Sequence, residues 1–151
     1  MIDRRHIGHV FAPFAVDIEA GRLRFFAKAT GQTDPVYTDA AVARAHGYPG
    51  LLVPPTFLFC LEMEAPDPAA IRNLLGLDYR SLLHGEQRFR YQAPAFAGDT
   101  LRFEQRIEDI YDRKNGALEF VVRRTRVSNQ TGTAIAELGT TTVVQHAAAK
   151  P

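Results

Sequence analysis

The rhythm of apolar and polar positions changes near Leu83. Before it, apolar residues recur at helical spacing or in short runs; after it, they alternate with charged residues over long stretches. In the first half, Val10 to Asp17 is expected as a strand, with Pro13 marking an edge or an irregular start. Asp17 is expected to cap a helix running towards Thr30, on which Leu23, Phe26 and Ala27 share a face and after which Gly31 follows. A polar loop covers Gln32 to Tyr37. Thr38 offers a cap for a short helix, Asp39 to His46, which Gly47 would close in a left-handed conformation. The run Gly50-Leu51-Leu52-Val53-Pro54-Pro55-Thr56-Phe57-Leu58-Phe59-Cys60-Leu61-Glu62-Met63 follows, with Pro55 placed for a first turn. From Phe57 to Leu61 it is apolar on every side, so this helix must be covered all round and is read as a long central helix wrapped by a sheet. Asp67-Pro68 starts a smaller helix ending near Gly76.

In the second half, Phe89 and Tyr91 alternate with Arg88 and Arg90. Leu101, Phe103 and Ile107 alternate with Arg102, Glu104, Arg106 and Glu108. Asn115-Gly116 is a hairpin signal leading into Leu118 to Val127, and Asn129-Gln130-Thr131-Gly132 turns the chain into Thr133 to Val144. With the strands near Glu86 and Val16, the count is about five. The pattern predicts an α+β fold, a five-stranded antiparallel sheet around a long central helix. Residues 1–151 read as one domain, and 146–151 as a frayed tail.

Composition narrows the partners. Hydrophobic residues make up 46% and charged residues 23%, the balance of an ordinary globular chain, and the net charge of +1 sets up no field to draw in nucleic acid or a membrane surface. No basic run interleaves with aromatics, and nothing approaches the roughly 18 apolar residues of a membrane span, so a cytoplasmic protein is expected. The single cysteine, Cys60, sits in an apolar run and reads as packing, and no Cys/His cluster has zinc spacing, so no metal is expected.

Three fragments then stand in order: Ala29-Thr30-Gly31-Gln32-Thr33-Asp34-Pro35-Val36-Tyr37, Gly50 to Phe57 as quoted above, and Phe89-Arg90-Tyr91-Gln92-Ala93-Pro94 with Ala97-Gly98-Asp99-Thr100-Leu101. Together they resemble the MaoC-like hydratases and dehydratases, above all their FAS1-like dehydratase branch, over most of the chain. The resemblance implies a single hotdog fold and reversible addition of water across a 2-enoyl thioester. It also implies an acyl-CoA or acyl-carrier thioester as substrate, with no further cofactor. In the catalytic branch a loop reading Asp-x-Asn-Pro-x-His holds the acid and base. Backbone N–H groups at the start of the central helix stabilise the oxyanion. Here Gln32 stands for the Asp, Asp34-Pro35 for the Asn-Pro, and Tyr37 for the His. Gln32 carries no charge, and a phenol of ordinary pKa about 10 is poorly matched to neutral proton transfer. Pro54 and Pro55 have no N–H, so an oxyanion hole would need Thr56 or Phe57. This departure resembles the partner chains of heterodimeric (3R)-hydroxyacyl dehydratases, which shape the acyl tunnel while a second hotdog chain carries the catalytic pair.

Candidate residues follow from these readings. His84, Glu86, Arg88 and Arg90 are expected on one strand face, where His84 and Glu86 could form a relocated acid–base pair or merely a polar surface. Asp34 could position water or cap the turn before Pro35. Gln32 and Tyr37 could hydrogen-bond a thioester without ionising, and Val53, Thr56 and Phe57 are placed as substrate contacts. Phe57, Phe59, Leu61 and Met63 could line a tunnel or fill the core. Arg88, Arg90, Arg102, Arg123, Arg124 and Arg126 could grip coenzyme A phosphates or cover a solvated face. The first reading is a hydratase or dehydratase. Its alternative is a non-catalytic acyl-thioester-binding chain, with a homodimer or a heterodimer with a second hotdog chain as the assembly. A thioesterase is the third, weakened because Glu62 and Glu64 sit near the helix end.

Overall fold

Alternating burial along the second half of the chain builds the sheet. In the computed structural model, which describes residues 1–146, β2 (Leu82–Tyr91), β3 (Thr100–Arg113), β4 (Leu118–Ser128) and β5 (Ala134–Gln145) join a short β1 (Phe14–Asp17). All neighbours are antiparallel, in the order β1-β3-β4-β5-β2. The hairpin at Asn115-Gly116 forms with Lys114, Asn115 and Gly116 at φ of 54°, 53° and 82°, the left-handed region where Asn and Gly are most at ease. Of the expected first strand, only Phe14–Asp17 pairs as a strand, and Val10 makes an isolated bridge to Arg106.

Of the tail, residues 147–151 lie outside the described residues. His146 is held rather than frayed: its N–H donates to Ala117 O at 3.1 Å, and its ring pairs with buried Glu119 at 2.6 Å.

The helices cover one face of the sheet. α1 (Ala20–Ala29) buries Leu23 and Ala27 completely. Its N-cap residue is Glu19, while Asp17 belongs to β1 and accepts from Thr100 Oγ1 at 2.6 Å. Asp39, not Thr38, caps α2 (Ala40–Ala45), its carboxylate accepting from the N–H groups of Ala41 and Val42. α4 (Ala70–Leu75) ends at Gly76, whose φ of 63° suits the left-handed cap.

The central helix is shorter than the long one expected. α3 spans Phe57–Glu62, six residues, beginning only after Thr56, which turns the chain at φ 69°. Nor is it covered all round: Leu58 and Leu61 are buried, Phe59 and Cys60 are half-buried, and Met63 beyond its end is 58% exposed.

Packing between two of the motif fragments sets where α3 begins. Ala97 N–H donates to Leu51 O and Val53 N–H to Ala95 O, both at 2.9 Å, and Leu52 bridges Phe96. A Cβ on Gly50 would sit 2.9 Å from Ala97 O, so only glycine permits this approach. Two apolar clusters result. The larger joins Phe14, Leu23, Leu58, Leu61, Phe103 and Leu138 among others, and the smaller joins Ile2, Ile107, Ile110, Val121 and Val144.

Candidate functional site

The loop after α1 is organised by its own side chains. Asp34 caps a 3-10 turn, Pro35–Tyr37, by accepting from Val36 N–H at 3.0 Å, and its own N–H donates to Gln32 Oε1 at 3.1 Å. The one carboxylate of the motif therefore serves the turn, as an Asp before Pro readily does. Burial pushes the Tyr37 phenol above its ordinary pKa, and the neighbouring Asp34 adds to the shift. Tyr37 thus stays protonated at neutral pH and can donate or accept a hydrogen bond but not act as a base.

At the start of α3 both N–H groups expected for an oxyanion are engaged. Thr56 N–H donates to Tyr91 Oη at 2.8 Å, and Phe57 N–H to Pro54 O at 3.2 Å. A β-branched residue at φ 69° is strained, and the Tyr91 bond helps to hold it there. Phe57 is packed edge-on against Phe26, with ring centroids 4.9 Å apart, and Val53 N–H is taken by Ala95. The sequence places Tyr91 in the third motif fragment and in the alternation with Arg88 and Arg90, without a role at this site.

His84 and Glu86 do not meet. The β2–β5 register shifts between them, His84 facing Thr142 and Glu86 facing Thr141, so Gly85 is the extra residue of a β-bulge. A bulge cancels the two-residue alternation on which the shared face depended. His84 turns inward against Phe59, ring centroids 5.2 Å apart, while Glu86 faces outward and pairs with Arg88 at 2.7 Å with 46% of its side chain exposed. Arg88 and Arg90 stay on the outer face, in a cleft with Arg124 and Glu137. The bulge favours glycine, since a Cβ there would lie 2.7 Å from Val143 Cγ2 and something would have to shift.

The chemistry that sequence reasoning undervalued lies beneath α3. Glu62 is completely buried and points at the sheet. Its Oε1 accepts from Gln105 Nε2 at 3.2 Å and from the Thr125 hydroxyl, and its Oε2 lies 3.3 Å from Arg123 Nη2. Arg123 Nη2 also donates to Thr140 Oγ1 at 3.4 Å, and Thr140 donates to Gln87 Oε1 at 2.9 Å. These residues occupy adjacent rows of the sheet: Gln105 pairs with Thr125, Arg123 with Thr140, and Thr140 with Gln87. Arg123 is therefore neither a phosphate grip nor a solvated residue. The available signal was positional, because Gln105, Thr125 and Arg123 fall on the same parity as buried Phe103, Val127 and Val121.

Burial also pushes the Cys60 thiol up, the direction of a packing residue rather than an activated nucleophile. Among the described residues no three His, Cys, Asp or Glu side chains gather into a metal-binding group, and no helix is long and apolar enough to cross a membrane.

Comparison with known proteins extends this picture. The model of the FAS1-like dehydratase domain region matches residues 5–138. A UPF0336 protein of Saccharopolyspora erythraea is 32% identical over 151 residues, covering 99% of this chain and 96% of that protein. Among solved structures, the C-terminally truncated HadBC (3R-hydroxyacyl-ACP dehydratase) complex from Mycobacterium tuberculosis superposes with a TM-score of 0.77 at 25% identity, covering 91% of this chain and 96% of that one. A MaoC-like dehydratase gives a TM-score of 0.83 at 24% identity over 94% of this chain but only 43% of its own length. The sheet-and-helix arrangement is thus the hotdog fold of these dehydratases.

Proposed function

This chain belongs to the FAS1-like dehydratase family, and from that membership we propose that it is the non-catalytic, acyl-thioester-holding chain of a two-hotdog dehydratase. The observation that carries the reading is the missing acid–base pair. Gln32 and Tyr37 stand where the motif needs a carboxylate and an imidazole, Asp34 is committed to its turn, and the bulge at Gly85 parts His84 from Glu86. A hydratase needs both groups within reach of one water. The partner in this reading is a second hotdog chain carrying the intact motif, and the ligand is an acyl-CoA or acyl-carrier thioester, with no resident cofactor. Likeness to a dehydratase complex of two different chains supports it.

In this role Gln32 and Tyr37 hydrogen-bond the thioester end without moving protons. The half-buried face of Phe59 and Cys60, with Met63 beyond it, meets the acyl chain or the partner. A thioesterase is disfavoured because Glu62, the buried carboxylate of α3, is turned into the sheet and held by Arg123, Gln105 and Thr125.

The test is hydration of crotonyl-CoA and longer 2-enoyl-CoAs, followed by loss of enoyl thioester absorbance. The chain alone should bind acyl-CoA without turnover, and a co-expressed hotdog chain with the intact motif should restore it. Turnover by the chain alone that disappears in Glu86→Gln or His84→Ala would refute the proposal.

A further inference from the structure

The polar rows under α3 are incompletely satisfied. Among the described residues, Glu62 Oε2, Arg123 Nε and Gln87 Nε2 are buried and have no hydrogen-bond partner. Such groups are costly to leave unmade in a folded protein, and three within one network point to something that completes it. Two clefts reach this network from either side of the α3–α4 connection. One, of about 320 Å³, is lined by Glu62, Gln105 and Arg123; the other, of about 370 Å³, by Arg123 and Thr140. They share Met63, Pro68, Ile71 and Arg123. Their remaining walls are largely apolar, and their sizes lie at the lower end of ligand pockets, roughly 300–1,000 Å³.

We infer that this network is a recognition site for a hydroxyl group carried on an aliphatic chain. Glu62 and Arg123 cancel in charge, so an ionised ligand would bury an unmatched charge. What they leave open at the first cleft is one acceptor, Glu62 Oε2, and one donor, Arg123 Nε–H, while Gln87, which lines neither cleft, joins the network through Thr140. A hydroxyl both donates and accepts, and so can answer the carboxylate and a donor together; an ether or ketone only accepts, leaving Glu62 Oε2 with its ion pair to Arg123 but no hydrogen bond. The apolar walls select the rest of the molecule as alkyl. The inference rests on the acyl-binding reading only for the source of that chain, which would then be a hydroxylated acyl group.

The experiment uses n-octanol and its isomer heptyl methyl ether, titrated into the full chain and followed by calorimetry and by the side-chain amide NMR signals of Gln87 and Gln105. Octanol should bind about tenfold tighter than the ether, the worth of one charge-assisted hydrogen bond in a desolvated site, and should shift both amides. The preference should vanish in the paired variant Glu62→Leu with Arg123→Met. Equal affinities, absent octanol binding, or a preference that survives the paired substitution would each overturn the inference. If that variant does not fold, the two ligands on the unaltered chain decide. Decanoyl-CoA is titrated in parallel. Its binding without an octanol preference overturns this site alone, whereas an octanol preference without decanoyl-CoA binding overturns the acyl-thioester reading and leaves the hydroxyl site standing.

Discussion

Along the inner face of β3, Leu101 and Phe103 meet apolar side chains, whereas Gln105, two residues on, meets a carboxylate. The same transition crosses the whole sheet. Val127 gives way to Thr125 and Arg123 on β4, and Leu138 to Thr140 on β5, before the smaller apolar cluster of Ile107, Val121 and Val144 resumes. The two regions share one backbone geometry and one covering layer, yet their energetics differ in kind. In the apolar region each side chain contributes by its own burial, so losses are local. In the polar region the worth of each group depends on the others being present. A carboxylate buried without its guanidinium is worse than neither.

The sharpest way to break this contrast is to remove one charge. Glu62→Ala should cost about 3–5 kcal/mol in urea unfolding because it strands Arg123, while Glu62→Leu combined with Arg123→Met should be neutral or stabilising by about 1–4 kcal/mol. If the paired change costs as much as the single one, the two regions do not differ. In the apolar region Leu61→Ala should cost about 2–5 kcal/mol by leaving a cavity, and no polar second substitution should recover it.

Gly85→Ala tests whether the bulge governs which side chains join the inner face. The new Cβ collides with Val143, so a loss of about 1–3 kcal/mol is expected, with the His84 ring signal moving as its contact with Phe59 changes.

The smallest effect should come from an exposed charge pair. Hydrogen bonds from Arg80 hold the Asp78 carboxyl down at about 2, below its ordinary 3.8. Because the folded value is the lower one, the stabilisation is present above pH 3.8 and fades as the pH falls through about 2. An NMR titration of Asp78 should show this midpoint, and in Arg80→Ala it should return towards 3.8.

Much of the sheet was legible because strand alternation is a direct record of burial. β4 and β5 begin and end within a residue of their expected positions, and β3 begins one residue before Leu101 but runs on to Arg113, past the alternation that ends at Glu108. Local competition was less legible. Asp39 displaced Thr38 as a cap because its carboxylate reaches two N–H groups at once. The apolar run Phe57–Leu61 lies inside a helix of only six residues, because apolarity reports burial and carries no information on helix length. Gly85 did signal a bulge by standing inside a strand, but applying strict alternation through it put His84 and Glu86 on one face. At the candidate site the degenerate loop was readable from residue identity alone. Glu62, in contrast, acquires its importance from β3 and β4, which no spacing along its own helix could reveal.

The bulge bears on how this molecule meets its neighbours. β2 lies at the edge of the sheet, with backbone groups open on one side, and an uninterrupted edge of that length invites strand after strand. By bending the strand at Gly85, the chain leaves a regular template only over Glu86–Tyr91. The outward side chains there are charged, Glu86, Arg88 and Arg90. A charged, interrupted edge of this kind resists open-ended strand addition.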